Sequence, residues 1–107
     1  MNRKFTGFLE LDAIGNVSYL EAEDGDETLF PNDIVGHNFF DTLPFKNANE
    51  LRNKFLAFAN GYNSVSSFDF ICEYAGQYIS VSVLLTRITE NSDDKNLKSI
   101  LLHIKQN

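Results

Sequence analysis

A chain of 107 residues that is 43% apolar and 13% aromatic, with ten Phe and no Trp, can bury one core and is too short for two. Fifteen acids against nine Lys and Arg give a net charge of −6, and residues 5–45 hold nine acids and no base, which excludes a basic stripe for nucleic acid or an anionic membrane. The lone Cys72 excludes an internal disulfide, and no apolar run approaches a signal peptide's core or the ~20 residues of a spanning helix, so the expected compartment is the cytoplasm.

In chain order, residues 8–12 and 17–20 flank Gly15-Asn16, a pair that tolerates positive φ, and predict a hairpin. Residues 21–33 are acidic and broken by Gly25 and Pro31, which suits loops and short helical turns; residues 34–36 and 39–43 continue as turns up to Pro44. Asn47 and Glu50 then match a capping box, Leu51, Phe55 and Phe58 form a helical stripe, and Asn60-Gly61 offers a left-handed residue to end the helix. Glu50 and Lys54 are spaced to pair on the other face.

Three strands follow. Phe68, Phe70, Cys72 and Tyr74 alternate on one face of the first; Ile79, Val81, Val83 and Leu85 do so on the second; Ile100, Leu102 and Ile104 on the third. Short connections imply antiparallel pairing. Ile71, Leu84 and Leu101 fall on the opposite faces, and with Phe39-Phe40 they supply apolar surface suited to a protein partner or a homodimer.

This order, together with the residues of 11–44, resembles PAS domains. The string 11–17, then Asp24-Gly25-Asp26-Glu27-Thr28, Pro31, Val35-Gly36-His37-Asn38-Phe39-Phe40 and Pro44, is similar to the photoactive yellow protein branch. The likeness spans residues 7–105. It implies an α+β fold, a five-stranded antiparallel sheet with one long and several short helices on one face, and a pocket between them. It also implies a sensory or signalling role, first by holding a small ligand non-covalently in a mostly apolar pocket, with a ligand-free interaction or dimerisation domain as the alternative.

The departures from that branch are chemical. The family attaches a cinnamoyl chromophore to a Cys after the Pro that matches Pro44; Phe45 stands there and has no nucleophile. Leu20 and Asp24 occupy the positions of a phenolate-binding Tyr and Glu, Thr28 is kept, and Phe30 falls where an Arg closes the pocket. Tyr19 is one residue off the Tyr position, and such a slip turns a strand side chain to the opposite face. A cinnamoyl photoreceptor is therefore not expected. The implied site comprises Leu20, Asp24, Thr28, Phe30, Phe40, Phe45, Phe55, Phe70 and Cys72. Those apolar replacements either fill the chromophore's space or line a greasy pocket for a non-covalent ligand.

Other chemistries lack their parts. His37, His103 and Cys72 are too scattered for a metal site. Haem-binding PAS domains use a single His, but the helix 47–60 has none; only His37, beside Gly36, could approach the mouth, so haem is the weaker reading and no cofactor is assigned. His103, sharing a face with Leu101, reads as a satisfied or surface side chain. Cys72, between Phe70 and Tyr74, reads as an inert buried thiol. No nucleophile elbow or phosphate-cradling glycine loop is present, so an enzyme is not expected.

Overall fold

A computed structural model describes residues 6–24, 33–41, 47–74, 76–89 and 97–107, with Ala22, Glu23, Asp24, Cys72, Tyr74, Leu97 and Lys98 entering through their backbones only. Five strands make one antiparallel sheet: β1 (Thr6–Leu11), β2 (Val17–Asp24), β3 (Val65–Tyr74), β4 (Gln77–Thr89) and β5 (Leu97–Gln106). Their order across the sheet is β2-β1-β5-β4-β3, so the last strand lies in the middle. A 3-10 turn (Phe39–Asp41) and the helix α1 (Ala48–Ala59) complete the described elements. The fold class is α+β, as the sequence implies.

Period-two patterning decides the two faces. Leu9, Leu11, Val17, Phe68, Phe70, Val81, Val83, Leu85, Ile100, Leu102 and Ile104 all turn inward and are buried. Leu51, Phe55, Phe58 and Ala59 of α1 meet the same core, as the helical stripe predicts. None of the described helices is long and apolar enough to cross a membrane.

Three local details differ from the sequence reading. β2 continues through the acidic residues to Asp24, because β1 offers partners as far as Thr6. Pairing across the sheet overrides the loop-like composition. At the start of α1 the Asn47 side chain reaches the Glu50 carboxylate at 3.5 Å and makes no bond to a backbone amide, so the two residues meet through their side chains and not as a capping box. At its end Asn60 is right-handed (φ −92°) and Gly61 is not among the positive-φ glycines.

A long-range cap replaces the left-handed one. Arg87 of β4 donates from Nη2 to the Phe58 and Gly61 carbonyls at 2.5 and 2.9 Å, and from Nε to the Asn63 carbonyl at 3.1 Å. Its guanidinium lies 5.3 Å from the Phe58 ring centroid. A cation at the negative end of a helix, donating to a carbonyl of its last turn and to carbonyls just beyond it, is favourable for both its charge and its bonds. Gly61 is needed for space instead, since a Cβ there would meet the Ala57 carbonyl oxygen at 3.0 Å.

Candidate functional site

The space between α1 and the sheet is the site that the family resemblance points to. Four rings converge there. Phe39 packs edge-on against Phe40 at 5.1 Å between centroids and against Phe70 at 6.3 Å, while Phe40 meets Phe55 at 5.4 Å. All four side chains are at most 3% exposed. Edge-to-face and tilted contacts of this kind add to the burial of each ring. Phe39 and Phe40, which the sequence offered as partner surface, are interior residues.

Local structure fixes these rings in place. Gly15 adopts φ +96° in the β1–β2 turn, and a Cβ on it would meet Phe40 Cε2 at 3.2 Å. Asp12 organises that turn by accepting from the Ile14 and Asn16 amides at 3.0 and 2.9 Å. Asn38 then ties the turn to the rings: its Nδ2 donates to the Ile14 carbonyl at 2.9 Å, and its Oδ1 accepts from the Phe40 amide at 3.0 Å. From the helix, Arg52 places its guanidinium 5.9 Å from the Phe40 ring centroid and pairs with Asp41 at 2.5 Å. Phe40 is thus held by a turn on one side and a cation on the other.

The sequence-derived site is brought together in part. Phe40, Phe55 and Phe70 converge as implied, and Leu20 packs against the same core. Tyr19 is 48% exposed, so the one-residue slip does turn it to the opposite face from Leu20. Asp24 is the backbone partner of Thr6 and Cys72 that of Ile79. Thr28, Phe30 and Phe45 lie outside the described residues. Phe39, Gly15, Asn38 and Arg52 were missed; the closeness of Gly15 to Phe40 carries no local signal in the sequence.

A cavity borders this cluster through Phe70. About 320 Å³ opens beside Asn47, Asp69, Phe70, Ile71 and Ser80, at the β3 side of the sheet. His37 is exposed and does not line it; among the described residues only its backbone bonds, to Val17 and Ile34, are made. His103 stacks on Phe8 at 4.5 Å with an 18° interplanar angle, and its Nε2 is buried without a hydrogen-bond partner among the described residues, which corrects the reading of it as satisfied. Ile71 and Leu84 are 41% and 47% exposed on the outer face, and Leu101 is half-buried there. Among the described residues no three His, Cys, Asp or Glu side chains are grouped to hold a metal ion.

No protein-family model and no curated protein matches the sequence. Solved structures do. The PAS-B domain of Drosophila melanogaster Cycle, in a structure with bound ethylene glycol, superposes with a TM-score of 0.68 at 12% identity, over 94% of this chain and 99% of that one. The PAS domain of an HTR-like protein from Haloarcula marismortui gives 0.61 at 17% identity, over 95% of this chain and 81% of that one. The strand order, the long helix against one face and these superpositions agree: the chain has the fold of PAS domains.

Proposed function

We infer that the chain is a signalling module of the PAS type whose interior is plugged by its own phenylalanines and whose output is contact with other proteins. The observation that carries this reading is the cluster of Phe39, Phe40, Phe55 and Phe70 in the space where related folds keep a pocket. Each buried ring contributes roughly 1.5–3 kcal/mol, so expelling one for a ligand would forfeit that stabilisation. The finer kinship is with the photoactive yellow protein branch, from which this chain departs by carrying Phe45 in place of the chromophore's cysteine. Neither an enzymatic step nor a covalent pigment belongs to the reading.

A second reading, a sensor that holds a small molecule non-covalently, has one observation in its favour. The cavity of about 320 Å³ is within the size range of small-ligand sites. Cycle PAS-B, of the same fold, was solved with ethylene glycol bound. Native mass spectrometry of the purified protein separates the two. The plugged module gives the mass of the polypeptide alone. A stoichiometric organic adduct that survives gentle desolvation and leaves on unfolding would overturn it in favour of the sensor.

A further inference from the structure

β3 ends the sheet and pairs with β4 through ten residue pairs without a register shift. The side on which its backbone bonds lie can be read from its flanks. Arg87 N–H donates to the Ser64 carbonyl at 2.9 Å, and Asn107 N–H donates to the Ser80 carbonyl at 2.9 Å. In an antiparallel pair the N–H and C=O of one residue point to the same side, and successive residues alternate. Ser66, Phe68, Phe70 and Cys72 therefore turn their backbone groups toward β4. Val65, Ser67, Asp69, Ile71 and Glu73 turn theirs to the open edge, where nothing pairs with them among the described residues. All five side chains are exposed.

Edge strands are usually blunted by a bulge, a proline, charged side chains (lysine above all) or shortness. Of these β3 has over its ten residues only two acids, Asp69 and Glu73, on either side of Ile71. Two residues apart, the three share one face, and the cavity of about 320 Å³ opens beside Asp69 and Ile71. A second copy of this chain is a poor occupant. Antiparallel self-pairing about Ile71 would set Asp69 of each copy opposite Glu73 of the other, and like charges directly opposite are destabilising.

We propose that the open edge of β3 receives an extended segment of a partner protein with the pattern basic–x–apolar–x–basic. Its backbone completes the bonds of Val65, Ser67, Asp69, Ile71 and Glu73. Its two cations lie opposite Asp69 and Glu73, and its apolar side chain covers Ile71 beside the cavity. Main-chain bonds supply the affinity and the alternate side chains the selection, as in other strand-addition complexes.

The test uses the whole chain and two peptides: acetyl-Thr-Lys-Thr-Val-Thr-Lys-Thr-amide, and the same peptide with Glu for Lys. The Lys peptide is expected to bind, to weaken as salt is raised, and to slow hydrogen exchange at the amides of Asp69, Ile71 and Glu73. A double variant, Asp69→Lys with Glu73→Lys, changes only exposed positions. It should shift the preference by about tenfold toward the Glu peptide, the scale of two exposed ion pairs. Equal binding of the two peptides, protection elsewhere in the chain, or no saturation at millimolar Lys peptide would overturn the proposal and leave the acids as edge guards only. Protection of the same amides that grows with protein concentration, without peptide, would overturn it in favour of a second copy.

Discussion

The two edges of the sheet are finished in different ways. At β2, the register shifts twice against β1, around Ser18 and Glu23, and Ser18 turns its hydroxyl to the Glu10 carbonyl at 3.0 Å. The segment 36–39 also bonds back to the start of that strand: Val17 N–H donates to the His37 carbonyl and Gly36 N–H to the Val17 carbonyl, at 2.9 and 2.8 Å. β3, at the other edge, is straight, in register throughout and uncovered among the described residues. Bulges and covering segments are the means by which chains stop strand addition at an edge. One edge is closed at its start by the chain itself, and the other, among the described residues, carries only a pair of charges.

The largest effect is expected where the two halves share a floor. Phe55→Ala empties space between α1 and the rings, in the core cluster that residues of both β2 and β3 join, and should destabilise the fold by about 3–5 kcal/mol. Chemical denaturation would measure it, and hydrogen exchange should quicken on β2 and β3 alike. Quickening on one edge alone would mean that the halves do not share the floor described.

A pair of smaller changes separates the edges. Arg87→Met removes the cation that gathers the Phe58, Gly61 and Asn63 carbonyls ahead of β3, at a cost of about 2 kcal/mol. Asn38→Ala removes the bonds to Ile14 and Phe40 that fasten the β1–β2 turn, at a cost of about 1–2 kcal/mol. Residue-resolved exchange should place the first loss at the start of β3 and the second at the start of β2. Crossed effects would contradict the separation.

The smallest change concerns the outer face of β2. Tyr19 donates its hydroxyl to Glu21 Oε2 at 3.2 Å, and this bond, then the carboxylate's charge, raises the phenol above its ordinary value of 10.0. A group raised in the folded state stabilises the fold below its unfolded value and loses that contribution as pH rises through the folded one. Glu21→Gln should therefore lower the Tyr19 titration, read by ultraviolet difference absorbance, and remove a slight alkaline loss of stability. An unmoved titration would show that the pair is not formed in solution.

Much of this architecture was legible from periodicity alone. Val81, Val83 and Leu85, and Ile100, Leu102 and Ile104, alternate with residues of the outer face, so their direction follows from period two once a core exists. The stripe of Leu51, Phe55 and Phe58 follows likewise from the helical repeat. The cap by Arg87 was not legible, because its carbonyl partners lie 24–29 residues away and only the packing of β4 brings them within reach. Nor was the reach of β2 to Asp24, since an exposed edge tolerates acids that composition assigns to loops. Of the site, the rings of Phe40, Phe55 and Phe70 were anticipated from family likeness, whereas the grip on Phe40 by Gly15 and Arg52 depends on contacts across elements. Ile71 and Leu84 were expected on the outer face and are exposed there; which of β2 and β3 would stay open depends on strand order, which no local pattern encodes.

The central place of β5 bears on how the chain comes into being. Glu10 and Ser99 meet at 2.6 Å although 89 positions separate them, and β1 and β4 can be joined only when β5 arrives between them. On a ribosome, the two hairpins must wait with their greasy sides unshielded until nearly all of these residues have emerged. Quality-control factors have a window there in which to act, and a mutation that slows the arrival of β5 would widen it.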